Sequence, residues 1–300
     1  MCLYPTRIEN PRYKNMPNVH PAIKYVTAKC GMCYECRKAR AAEWRQRLEE
    51  EMRQPRYPGT TRLFITFTIS NEVAQKYGVN YVDATLEERV SEETYAKENA
   101  MMKDLVKKWR HSVDKKKIKQ RHFFVTEHGE DDSLRIHLHG IVWVKEEDVE
   151  RMMASWTAGR TDRGNIRDST IGYLCKYMHK MPKVHKHYRS IVLCSPGIGS
   201  GMVERYKQIH PEIEKQLDID PKYRYKNGVK VSMCDYYKRK LFTRKQIEDR
   251  RRKLWKEQRR WVMGIEYKLS DRESARAYTR KMVTEQASPP LGMKPRPKKE

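Results

Sequence analysis

His137 and His139 stand two residues apart in the stretch Arg135–Val144, R-I-H-L-H-G-I-V-W-V. Alternate side chains of a strand share a face, so both imidazoles project from the same side and can grip one metal ion. A bare H-x-H fits equally well two polar residues on a half-buried strand. Tyr173 and Tyr177 lie four apart in I-G-Y-L-C-K-Y-M-H-K, with Lys176 and Lys180 as a second four-spaced pair. On a helix that spacing sets both phenols on one face, their Cβ atoms about 5–6 Å apart. Phenols are nucleophiles once their charge is stabilised, and ammonium groups can supply that stabilisation. Alone, the pair also suits a tyrosine-rich amphipathic helix packed on a sheet. Cys30, Cys33 and Cys36 form C-G-M-C-Y-E-C, thiolate spacing suited to a tetrahedral soft-metal site with Gly31 easing the turn. Zinc or an iron–sulfur cluster would fit there, as would three reduced thiols at a helix start. A structural zinc needs a fourth ligand, for which Cys2, His20 and Cys175 are candidates.

The elements that must carry these residues are legible from pattern. Within Arg135–Val144, Ile136, Leu138, Gly140, Val142 and Val144 share the face opposite the histidines, as on a buried strand. Leu63–Ile69 and Arg121–Glu127 read as strands from their β-branched and aromatic content, and Tyr188–Cys194 as a further one. A polar loop with Gly129, Asp131, Asp132 and Ser133 would join Arg121–Glu127 to the histidine strand as a hairpin, bringing Glu127 within reach of both imidazoles. Asp83–Ser112 reads as a long helix broken once, Glu147–Trp156 and Ile171–Lys180 as helices, and Gly159–Arg167 as a turn with a short edge strand.

Residues 1–29 contain four prolines and no period, an irregular arm. Arg37–Met52 reads as a helix whose basic first half, with Arg37, Arg40 and Arg45, could track phosphates, although a solvated face fits as well. Pro55, Pro58 and Gly59 mark a boundary. Ser195–Gly201, S-P-G-I-G-S-G, lacks the G-K-[ST] of a phosphate-binding P-loop and reads as a turn. Asn227–Gly228 signals a hairpin between Tyr223–Lys226 and Val229–Met233. Lys238–Arg260, with Arg250, Arg251 and Arg252, reads as one basic helix, and Ser288–Glu300 as a disordered basic tail. These boundaries divide the chain into an arm with the cysteine cluster and basic helix over 1–60, a core over 61–201, a basic and mainly helical region over 202–285, and a tail over 286–300.

Composition narrows the partner. The 300 residues carry 64 Lys and Arg against 39 Asp and Glu, a formal net charge of +25. A surface this basic points to a polyanion, with nucleic acid the default. No run of 18 apolar residues and no opening signal peptide speak for a membrane, and seven cysteines without a secretion signal suit a reducing cytoplasm.

Taken together, the motifs resemble the HUH family of single-strand DNA endonucleases. His137-Leu138-His139 matches the family's pair of histidines around a bulky apolar residue, and Tyr173 to Tyr177 with Lys176 matches the Y-x-x-x-Y of its two-tyrosine branch. Phe64-Ile65-Thr66-Phe67-Thr68 is similar to its first strand motif, and all three stand in the family's order. A closer resemblance is to the replication initiators of small single-stranded DNA phages, the microviruses of the gokushovirus type. It rests on the cysteine cluster before a basic helix with Trp44 and on the Pro196–Gly199 loop after the tyrosine helix, and covers about Cys30 to Gly201. Many relatives have R-P-H before the first histidine, where this chain has Arg135-Ile136-His137.

The resemblance implies an α+β fold, a central antiparallel sheet flanked by helices as in ferredoxin- and RRM-like folds, with basic helical extensions at both ends. It implies Mg²⁺ or Mn²⁺ held by His137, His139 and Glu127, and nicking by Tyr173 and Tyr177 through a 5′-phosphotyrosine, aided by Lys176 or Lys180. The expected partners are single-stranded origin DNA of the phage genome, held in part by the basic helices, and a host polymerase and helicase. The expected place of action is the cytoplasm of the bacterial host. The competing expectations are a plasmid initiator, conjugative relaxase or two-tyrosine transposase, a non-catalytic single-strand-binding protein, and a structural zinc protein.

Overall fold

The computed structural model describes residues 2–10, 24–54, 59–129, 134–179, 184–185, 188–262 and 265–286. In chain order the elements are β1 (Thr6–Glu9), β2 (Tyr25–Ala28), α1 (Tyr34–Arg53), β3 (Thr60–Phe67), α2 (Asn71–Lys76), α3 (Leu86–Arg89), α4 (Glu92–Lys115), β4 (Gln120–His128), β5 (Ile136–Lys145), α5 (Val149–Met153), β6 (Thr161–Asn165), α6 (Thr170–His179), β7 (Val192–Cys194), α7 (Gly201–Ile209), β8 (Lys222–Arg224), β9 (Lys230–Ser232), α8 (Asp235–Leu241), α9 (Arg244–Lys256), β10 (Arg259–Val262), β11 (Ile265–Lys268) and α10 (Arg272–Gln286). They fall into two units, one of Ala41–Ile209 and Arg224–Lys230, the other of Met1–Arg40, His210–Tyr223 and Val231–Glu300.

The first unit holds a five-stranded antiparallel sheet in the order β6-β3-β5-β4-β7, flanked by helices, the α+β architecture expected from the sequence. β5, the histidine strand, is central and is apolar on the face that Ile136, Leu138, Val142 and Val144 supply. These residues meet Leu63, Ile65 and Phe67 of β3 and the apolar stripe of α4, with Met101, Met102, Leu105 and Trp109. Phe67 anchors that layer, stacked on Trp156 at 4.5 Å and edge-on to Trp109 at 5.6 Å. On the opposite face, Phe123, Val125, Ile141 and Trp143 pack under Ala41 and Leu48 of α1 and Leu174, Cys175 and Met178 of α6. A sheet covered on both faces by helices gives its central strands a rigid frame. Gly140 is required within β5, because a Cβ there would lie 2.1 Å from Phe123 O and 2.3 Å from Phe124 Cδ1.

The helix expected over Asp83–Ser112 is α3 and α4, divided where Ser91 accepts the Thr94 N–H as an N-cap. The strand expected over Tyr188–Cys194 shortens to β7. Thr126 Oγ1 takes the Ile191 N–H at 2.8 Å and the Tyr188 hydroxyl, so a side chain replaces the ladder there. The loop after it is a turn, as expected: Gly197 and Gly199 have φ of +68° and +77°, and Glu51 of α1 accepts the Gly199 N–H at 2.7 Å. Pro55, Pro58, Asp131, Asp132, Ser133 and the tail over 286–300, apart from Gln286, lie outside the described residues.

In the second unit, the stretch read as an irregular arm contains an antiparallel pair, β1 with β2, in the register Thr6↔Ala28 to Glu9↔Tyr25. Both strands are largely exposed, so no inward-facing period marks them in the sequence. The single basic helix expected over Lys238–Arg260 is α8 and α9 followed by β10. Phe242 is extended, and Thr243 opens α9 with a capping box to Gln246, so the chain bends there despite continuous basic composition. β10 and β11 form a hairpin, and β8 pairs with β9 around the Asn227–Gly228 turn.

Candidate active site

Antiparallel register places the acid and the two imidazoles together. Residues directly opposite on neighbouring strands share a face. Glu127 of β4 is paired with His137 of β5, and Thr66 of β3 with His139. Glu127 Oε2 stands 3.1 Å from His139 Nε2 and 3.7 Å from His137 Nε2. The polar atoms behind the rings set their tautomers. His137 Nδ1 faces the Arg135 carbonyl at 3.1 Å, which can only accept, so Nδ1 carries the proton and Nε2 keeps its lone pair toward the carboxylate. His139 Nδ1 meets Thr66 Oγ1 at 3.0 Å, which lets Nδ1–H donate and leaves Nε2 equally open. Burial, and then the neighbouring His139, hold His137 below the usual imidazole range, which favours the neutral ring that a metal needs.

This arrangement fits a divalent cation. A carboxylate oxygen and two imidazole nitrogens lie within 4.8 Å of one another. Neighbouring ligands of an octahedral ion at about 2.1 Å sit roughly 3 Å apart. Glu127 Oε2 and His139 Nε2 meet that separation. Behind them the end of β4 is fixed to α4: buried Glu98 accepts the Tyr81 hydroxyl at 2.7 Å and meets His128 Nε2 at 2.8 Å.

α6 brings the tyrosines over the same face. Its inner side buries Leu174, Cys175 and Met178, which turns Tyr173, Lys176 and Tyr177 the other way. The Tyr177 ring stacks on His139 at 5.0 Å with an interplanar angle of 18°, and Tyr173 meets Tyr177 edge-on at 4.7 Å. Tyr177 is half-buried and its hydroxyl is hydrogen-bonded to Tyr173 and Glu127. Burial, then the Tyr173 hydrogen bond and Glu127's charge, push its phenol far above the usual range. Tyr173 is 47% exposed. It opens, with Lys176, Arg167, Asn165 and Phe64, on a cavity of about 610 Å³. Lys176 is exposed beside it, while Lys180 lies outside the described residues.

Of the arginines singled out for phosphate contact, Arg45 is exposed and lies 4.5 Å over the Tyr225 ring. Arg40 is half-buried. Arg37 is buried and gives its Nε–H to Met32 O, so it does not present its charge to solvent. Arg251 and Arg252 are exposed on α9, and Arg250 pairs with Asp220 at 3.0 Å. In their own unit Cys30, Cys33 and Cys36 gather with Cys2. His20 lies outside the described residues, and Cys175 is buried under α6.

Two neighbours of the site were not chosen as site residues on sequence grounds. Thr66 orients His139, and Phe64 stacks on the same ring at 5.7 Å while tilting against Tyr173 at 6.0 Å. Both lie in the Phe64–Thr68 strand motif, and alternation alone shows that they share a face. Identifying that face with the histidines' face needs the β3–β5 register.

No curated protein and no solved structure matches this chain. Residues 62–182 match the family model of the replication-associated protein ORF2. That span runs from within β3 past the end of α6, and it contains Thr66, Glu127, His137, His139, Tyr173, Lys176 and Tyr177. Among the described residues no helix is long and apolar enough to cross a membrane. The match supports a replication-associated protein of the rolling-circle type.

Proposed function

We propose that the protein nicks and rejoins single-stranded DNA at the origin of a small phage genome, starting and ending rolling-circle replication through a 5′-phosphotyrosine. The observation that carries this reading is the stacking of Tyr177 on His139, with Tyr173 4.7 Å from Tyr177, over a Glu-His-His set that fits a divalent ion.

Glu127, His137 and His139 would hold Mg²⁺ or Mn²⁺, whose charge would offset that developing on the scissile phosphate. The tyrosine oxygen bonds to phosphorus, the bond from phosphorus to the 3′ oxygen breaks, and the phenolic proton ends on the released 3′-hydroxyl. An ester is exchanged for an ester, so the bond energy is kept for rejoining. Lys176, exposed one turn from Tyr173 and Tyr177, places an ammonium where phenolate or phosphate charge develops. The freed 3′-hydroxyl primes a host polymerase, a host helicase unwinds ahead of it, and the second tyrosine cuts the regenerated origin. Tyr173 makes the first cut, because it is the exposed phenol facing the cavity whereas Tyr177 is held against His139 and Glu127. Exposed Arg45, Arg251 and Arg252 hold backbone phosphates, which makes binding steeply salt-dependent.

The test is a denaturant-resistant protein–DNA adduct on origin-bearing oligonucleotides with Mn²⁺. The adduct is expected to vanish in Tyr173→Phe/Tyr177→Phe and in His137→Ala, and the first-turnover adduct to vanish in Tyr173→Phe alone. Tight single-strand binding without any adduct would replace this reading with that of a binding module.

A further inference from the structure

Cys2 joins Cys30, Cys33 and Cys36 in one cluster, and no two of the four sulfurs are more than 4.8 Å apart. Cys2 Sγ lies 4.0 Å from Cys33 Sγ, and Cys30 Sγ lies 3.9 Å from Cys36 Sγ. Four thiolates around one zinc at about 2.3 Å span tetrahedral edges of about 3.8 Å. Both distances match that edge. They are nearly twice the roughly 2.05 Å of a disulfide. An iron–sulfur cluster interposes several metal and sulfide atoms between its cysteines and would spread the sulfurs wider than a single shared ion does.

The backbone is arranged for sulfur anions. The Cys30 N–H donates to Cys2 Sγ at 3.2 Å and the Cys33 N–H to Cys30 Sγ at 3.3 Å. Gly31 has φ of +75°, which folds the loop back between Cys30 and Cys33. Cys33 and Cys36 are buried, Cys2 and Cys30 half-buried, and the surrounding shell is apolar. That shell joins distant parts of the sequence: Leu3 beside Cys2, Val262 and Tyr267 of the β10–β11 hairpin, and Tyr278 and Met282 of α10. Gln286 Nε2 also donates to Leu3 O at 2.7 Å.

We propose that Cys2, Cys30, Cys33 and Cys36 bind one structural Zn²⁺, with Cys2 as the fourth ligand, and that this ion fastens the N-terminal segment to the start of α1 within the unit that also holds β10, β11 and α10. Four protein ligands leave no open position, so the ion is structural and takes no part in nicking. The proposal stands apart from the proposed nicking activity, and its test reads metal and thiols only.

The experiment uses the full chain carrying His137→Ala and His139→Ala, so that zinc at the Glu-His-His set is not counted. One zinc per chain is expected after exhaustive chelator dialysis, and about four equivalents of an organomercurial should release it. Replacing zinc by Co²⁺ should give tetrahedral ligand-field bands with strong thiolate-to-metal charge transfer. Cys2→Ser should weaken that charge transfer by about a quarter, one sulfur in four, and raise zinc loss at least tenfold, whereas Cys175→Ala should match the parent. If Cys2→Ser does not fold, the mercurial stoichiometry and the cobalt spectrum of the parent decide the matter. Iron with acid-labile sulfide, a disulfide found by mass spectrometry, freely titrating thiols with no bound metal, or full zinc retention in Cys2→Ser would each overturn the proposal.

Discussion

Thr66→Val isolates the tautomer argument at the metal set. Valine keeps the shape and removes the hydroxyl 3.0 Å from His139 Nδ1. A metal on Nε2 requires the proton on Nδ1, and Thr66 is the acceptor that holds it there. Without that acceptor the ring relaxes to the other tautomer, with Nε2–H aimed at Glu127 Oε2 only 3.1 Å away. An entering cation must then reverse that tautomer and leave Nδ1–H unpaired at a mostly buried position. Loss of a partner one step behind a ligand costs roughly 10–100-fold in metal affinity, about 1.4–2.7 kcal/mol. The assay is calorimetric titration with Mn²⁺, beside His137→Ala as the variant missing a ligand and thermal melting as the check on folding. The expected result is a Kd weakened by about 10–100-fold with a melting point near that of the parent. A Kd within twofold of the parent, while His137→Ala loses binding, would refute the claim that Thr66 sets the ring.

Gly140→Ala is expected to cost about 3 kcal/mol or more in urea unfolding, since the new methyl overlaps Phe123 O and Phe124 Cδ1 in the central strand; a loss under about 1 kcal/mol would show that the strand yields easily. Burial holds His122 down at about 4 against 6.5 for a free ring, so the unfolded chain binds the extra proton between those values. The stability this contributes is complete above about pH 6.5 and is lost as pH falls to about 4, roughly 3 kcal/mol in all. Denaturant titrations across that range should show a correspondingly shallower pH slope in His122→Gln than in the parent, and equal slopes would contradict it.

The strands that carry the site were readable because they are covered on both faces. β3, β4 and β5 draw their apolar residues from two cores, so their composition announces them even without knowledge of their partners. Glu127 could be placed near the histidines because a hairpin has one nearest neighbour. Thr66 could not be chosen with equal force, because pairing β3 with β5 skips about seventy residues and depends on which strand edge is free. The exposed pair β1 and β2 and the bend at Phe242–Thr243 escaped for the opposite reason. Neither buries an apolar stripe, and a capping box inside a basic run changes direction without changing composition. The C-x₂-C-x₂-C spacing flagged three thiols, but only long-range folding selects Cys2 over His20 and Cys175, since sequence separation says nothing about which distant ligand arrives.

The same logic explains why α6 is the element that can make this sheet reactive. Two neutral imidazoles and a carboxylate at the centre of a covered sheet would ordinarily be a poor place for polar groups, because each must be desolvated. Here Thr66 and the Arg135 carbonyl satisfy the outer nitrogens, and Glu98 with His128 secures the strand end, so the cost is met by fixed partners and the inner lone pairs are left converging. α6 then lays one phenol against that set and leaves the other facing the cavity, separated by one helical turn. A helix can exchange two side chains four residues apart at one point by a small rotation about its axis, whereas a strand cannot, since its neighbours alternate faces. A pair of nucleophiles that must take turns at one phosphate is therefore best carried on a helix over a sheet that does not move, which is the division of labour between α6 and β5.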